Sequence, residues 1–129
     1  MSKLDKESII GISALLVHAA NIDEIYSDHE KDLIKNFIKS YLENGDPNEF
    51  LKKAEEVEKN SNQLLNYTNI IKQNSTDIKK DIIEHLWKVI ISDNTVDQYE
   101  SNLMRRICGL IYFPDKECAE IKLKLIDNK

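Results

Sequence analysis

A short acidic motif occurs twice in this 129-residue chain, at an offset of seventy. The first copy is Asp23-Glu24-Ile25-Tyr26-Ser27-Asp28-His29-Glu30, and the second is Asp93-Asn94-Thr95-Val96-Asp97-Gln98-Tyr99-Glu100. Each sets Asp, six residues and then Glu between two apolar runs of helical period. The offset holds beyond the motif. Ile12 maps to Ile82, Leu16 to Leu86, Ala19 to Val89 and Ala20 to Ile90. After the motif, Leu33 maps to Leu103, Ile34 to Met104, Phe37 to Ile107, Ile38 to Cys108 and Tyr41 to Ile111. This pattern predicts two like helical hairpins, about residues 5–44 and 76–112, because short connections between long helices favour antiparallel neighbours. Each hairpin has one open apolar face, and packing the two faces together about a pseudo-two-fold axis makes one core.

Only three glycines and two prolines interrupt the chain, and no β-rich run bounded by turn signals occurs. The expected fold is all-α, about seven helices in a single domain over residues 1–129. The first helix, about Asp5 to Asn21, is apolar nearly all round through Ile9, Ile10, Ile12, Leu15, Leu16, Val17, Ala19 and Ala20. Such a helix belongs in the middle of a bundle. The second, about Asp28 to Asn44, carries Leu33, Ile34, Phe37, Ile38, Tyr41 and Leu42, with Gly45 as its stop. The third opens at the capping box Asp46-Pro47-Asn48-Glu49 and turns Phe50, Leu51, Ala54 and Val57 inward. The fourth follows Ser61 with Leu64, Leu65, Thr68 and Ile71. The fifth, about Thr76 to Ser92, has Ile78, Ile82, Ile83, Leu86, Val89 and Ile90, with Trp87 read as core. The sixth runs from about Gln98 to Tyr112, and Pro114 starts the seventh, with Cys118, Ile121, Leu125 and Ala119 inward.

The formal net charge of -5 argues against nucleic-acid binding, which needs a basic stripe to displace counterions. It also argues against docking on an anionic membrane. The longest apolar run, Ile9 to Ala20, is too short to span a bilayer. The acid-bearing N-terminus does not read as a signal peptide. Cys108 and Cys118 lack metal-ligand spacing and lie in helical patterns, so no disulfide is expected and a reduced, cytoplasmic setting follows.

The repeated loops are the candidate site. An Asp at the exit of one helix and a Glu in the first turn of the next supply hard oxygen ligands. Asp23 with Glu30, and Asp93 with Asp97 and Glu100, are the candidate ligands for calcium, magnesium or manganese. The loop is not an EF-hand, which needs a longer loop with a central glycine. A second explanation of the same residues is local. Ser27-Asp28-His29-Glu30 is an S-x-x-E capping box, and Asp97-Gln98-Tyr99-Glu100 is its aspartate version. Capping accounts for Glu30 and Glu100 and is the favoured reading of them; it does not require Asp23 or Asp93. The histidines are in no E-x-x-H arrangement, against a di-iron bundle. His18 and His85 read as packed or boundary residues and His29 as solvated. No nucleophile elbow, P-loop or Cys–His zinc spacing occurs.

The second motif, Ser92-Asp93-Asn94-Thr95-Val96-Asp97-Gln98-Tyr99-Glu100-Ser101-Asn102-Leu103-Met104-Arg105-Arg106, with the preceding Glu84-His85-Leu86-Trp87-Lys88-Val89, resembles the tellurite resistance protein B (TerB-like) family. The likeness is to its short stand-alone cytoplasmic branch and covers nearly the whole chain. It implies an all-α fold of paired helical hairpins, with the acidic loop positions as a metal site. It also implies a link to stress-response and tellurium-resistance systems. A related domain occurs fused to a J-domain co-chaperone, and no such module is expected here. This chain departs from the family pattern where Glu24 and Asn94 replace the glycine after each Asp. Asn tolerates a left-handed backbone far better than Glu, so the second loop is the better cation site.

The resulting expectation is a non-enzymatic cytoplasmic domain that binds a protein partner, with a divalent cation as candidate cofactor. The alternatives are a metal-dependent hydrolase using the same carboxylates and a purely structural scaffold.

Overall fold

The computed structural model describes residues 5–21, 27–42, 44–60, 64–91 and 98–127, the side chains of 64–66, 98–100 and 127 excepted. Its elements are α1 (Lys6–Ala20), α2 (Asp28–Tyr41), α3 (Pro47–Asn60), α4 (Leu64–Lys72), α5 (Thr76–Ile91), α6 (Gln98–Leu110) and α7 (Asp115–Asp127). No strand occurs among the described residues.

The all-round apolar helix is central, as its sequence requires. Ile9 and the stretch from Gly11 to Val17 are buried, as are Ala19 and Ala20, and α1 packs against α2, α3, α4 and α5. Asp5 caps it, accepting from the Ser8 N–H at 2.7 Å. On α2, Ile34, Phe37 and Ile38 are buried, and the helix lies on α1, α3 and α5. On α5 the buried set is Ile78, Ile82, Ile83, Leu86, Trp87, Val89, Ile90 and Ile91. A helix with that much apolar surface needs cover on several sides, and α1, α2, α4 and α7 provide it. Trp87 is core, as expected.

The helix neighbours do not establish the pseudo-two-fold hairpin packing that the seventy-residue repeat predicts, since α1 packs on α2 while α5 and α6 are not principal neighbours among the described residues. The equivalent helices α1 and α5 touch, and α3 packs on α1 and α2 as α7 packs on α5 and α6. The match is incomplete, since α2 rests on α5 while the principal described neighbours of α6 are α4 and α7.

Three local expectations are corrected. Val57 is 39% exposed, so α3 buries only Phe50, Leu51 and Ala54. Ala119 faces outward, while Cys118 and Ile121 face the core. The sixth helix ends at Leu110 and not at Tyr112, because Tyr112 takes φ 60. That left-handed turn lets the Phe113 N–H donate to the Cys108 carbonyl at 2.8 Å and closes the helix end. Gly45, with φ 130, turns the chain between α2 and α3.

Candidate functional site

At the first acidic loop the structure begins at Ser27, and there the capping box is complete. Ser27 Oγ accepts from the Glu30 N–H at 3.2 Å. The Glu30 carboxylate Oε1 in turn accepts from the Ser27 N–H at 2.9 Å and from its hydroxyl at 3.1 Å. Glu30 is only 6% exposed. A carboxylate this enclosed is stable as an anion only with donors around it, and here the helix start supplies them at the positive end of the α2 dipole. His29 beside it is exposed. Of the other expected cation ligands, Asp23, Asp93 and Asp97 lie outside the described residues. Glu100 lies in the first turn of α6, and its side chain is likewise outside them. Among the described residues no three His, Cys, Asp or Glu side chains are grouped as metal ligands would be.

A second polar cluster joins α2 to α5. The Tyr41 hydroxyl donates to Asp81 Oδ2 at 2.5 Å. His85 Nδ1 lies 2.8 Å from the Asp81 backbone carbonyl, which can only accept, so the ring proton sits on Nδ1. The same nitrogen is 3.5 Å from Asp81 Oδ1. Phe37 covers both rings, with centroids 5.1 Å from Tyr41 and 5.1 Å from His85. Burial, then the hydrogen bond to Asp81 and its charge, push the Tyr41 phenol far above its ordinary range. A phenol held this firmly in its protonated form is a structural tie rather than an acid or base at neutral pH.

The expectation that His85 is a packed side chain agrees with its 15% side-chain exposure. The involvement of Asp81 was missed in the sequence. Its signal is a single acid on the apolar flank of the fifth helix, four residues before a histidine. His18 is a boundary residue, with Nδ1 3.4 Å from Glu58 Oε1, and the Asn21 side-chain amide donates to Glu58 Oε2 at 3.5 Å. These contacts tie α3 to the end of α1.

The family model for tellurite resistance protein TerB matches residues 10–123, from the first turns of α1 into the last turns of α7. The chain belongs to the TerB family. The match takes in both acidic loops and reaches into each of the seven helices described, and the all-α architecture is the one the family carries. No curated protein and no solved structure gives a significant match. In this TerB-family chain the described half of the first loop is therefore a helix cap. No helix among the described residues is long and apolar enough to cross a membrane.

Proposed function

We propose that this TerB-family chain works without catalysing a reaction, as a cytoplasmic helical module that binds a protein partner. One observation carries the reading. On α7 the outward residues Ala119, Leu123 and Ile126 follow one another at helical spacing, round the helix from the buried Cys118 and Ile121. Leu123 is 58% exposed and Ile126 42%. A helix apolar on its inner and its outer face presents surface that water disfavours, and contiguous apolar surface marks interaction sites.

The cation belongs, in this proposal, to the second acidic loop. Glu30 is held by its cap at the first, whereas the second offers in its sequence Asp93, Asp97 and Glu100, hard-oxygen residues of the kind suited to calcium, magnesium or manganese. Asp23 is a further ligand of the same kind at the first loop. A role in stress response or tellurium resistance rests on family membership alone.

Two measurements test the proposal. Affinity capture compares the full chain with Leu123→Glu/Ile126→Glu, and a captured protein is then purified and titrated against both. Binding to the parent chain that is lost in the double variant, with helicity unchanged, supports the reading; equal binding by both contradicts it. Calorimetry with each cation compares the parent chain with Asp93→Ala. Heat that is absent in the variant supports the cation site, and no heat at millimolar cation removes it.

A further inference from the structure

A cleft of about 480 Å³ lies between α5, α6 and α7. That volume is within the range of small-molecule sites, about 300–1,000 Å³. Trp87, Met104 and Cys118 line it from three different helices, and all three are buried. Arg105, Asp115 and Lys122 also line it and are exposed or half-buried, so they form its rim.

The apolar floor is fixed in place. The Trp87 indole N–H donates to Cys118 Sγ at 3.3 Å, which ties α5 to α7. That bond uses the one donor an indole has, so the ring offers a ligand apolar contact only. Met104 adds an unbranched side chain that adapts to the shape it meets.

The rim carries the charge. The Lys122 ammonium stands 5.3 Å from the centroid of the Trp87 ring. A cation over an aromatic face is held by the ring quadrupole alone and is free to take an anion. Among the described residues neither Lys122 nor Arg105 forms an ion pair with a carboxylate. Two cations against the single carboxylate of Asp115 leave the rim positive in net. The whole chain carries a formal charge of -5, so this rim is a local reversal of sign, set over an apolar floor.

We propose that the cleft binds a small organic monocarboxylate, its apolar body against Trp87 and Met104 and its carboxylate at Lys122 and Arg105. Asp115 disfavours a second negative charge on the ligand, because like charges brought together in a site repel. The site uses no residue of the acidic loops and needs no protein partner. Its test is therefore independent of the partner and cation readings above.

Trp87 is the only tryptophan of the chain, so its emission reports on the cleft directly. The test is a fluorescence titration of the full chain with three probes: 3-phenylpropionate, 3-phenylpropylamine and acetate. The second keeps the apolar body with the opposite charge, and the third keeps the carboxylate without the body. Saturable binding of 3-phenylpropionate at about 1 mM is expected, with each of the other two weaker by at least about tenfold. This comparison needs no variant to fold. In Lys122→Gln/Arg105→Gln, with helicity unchanged, 3-phenylpropionate is expected to bind at least about tenfold more weakly. No saturable change in emission with 3-phenylpropionate overturns the proposal. So does equal binding of the amine or of acetate, or equal affinity of the double variant and the parent chain.

Discussion

Tyr41 on α2 and Asp81 on α5 are forty residues apart in sequence, and the hydroxyl of one donates to the carboxylate of the other at 2.5 Å. The bond crosses between two packed helices, beside the Phe37–His85 ring contact, and ties them in register. A hydrogen bond to a charged acceptor contributes roughly 1.5–3 kcal/mol when buried. The Asp81 side chain is 36% exposed, which screens it and brings the expected value to about 1 kcal/mol. Tyr41→Phe is expected to lower the urea midpoint by that amount with an unchanged slope.

The same bond predicts an alkaline effect. The phenol is raised in the folded state above an unfolded value of about 10. Its contribution to stability is therefore complete below about pH 10 and declines as pH rises beyond it. Absorbance titration is expected to show the Tyr41 phenol ionising only with alkaline unfolding. In Tyr41→Phe that late component disappears and the fall in stability above pH 10 is shallower.

The cap of α2 is a local device and is expected to behave as one. Ser27→Ala removes the acceptor for the Glu30 N–H and one donor to the Glu30 carboxylate, at a cost of about 1 kcal/mol. Glu30→Gln keeps an amide oxygen that can accept from the Ser27 N–H and is expected to cost less than Ser27→Ala. Thermal or urea unfolding of the two variants checks the order. A larger loss for Glu30→Gln would show that its charge serves something beyond the cap.

Two glycines are expected to respond in opposite directions to alanine. Gly109 lies in α6 with nothing within 4 Å of an added Cβ, so Gly109→Ala is expected to gain about 0.5–1 kcal/mol from reduced backbone entropy. Gly45 has φ 130, and an added Cβ would meet Phe50 at 3.3 Å. Gly45→Ala is expected to lose roughly 1–2 kcal/mol to backbone strain. Differential scanning calorimetry of the pair reads both signs.

What the sequence made legible follows from the range of each interaction. The central place of α1 came from its all-round apolar composition, and the Ser27–Glu30 box from spacing within one helical turn. Both are decided by neighbours along the chain. Val57 and Ala119 were assigned inward because periodicity marks an apolar stripe but not where the covering helix stops. The Tyr41–Asp81 tie was invisible because neither residue signals a partner forty positions away. The outward Leu123 and Ile126 became meaningful only once Cys118 and Ile121 were seen to hold the inner face of α7.

The central claim is that the outer face of α7 binds a protein partner. The most direct test is the affinity of the purified partner for the parent chain and for Leu123→Glu/Ile126→Glu, both shown to be folded by circular dichroism. Binding weakened at least about a hundredfold, roughly 2.7 kcal/mol, is the predicted result. Equal affinity for the two chains would contradict the account.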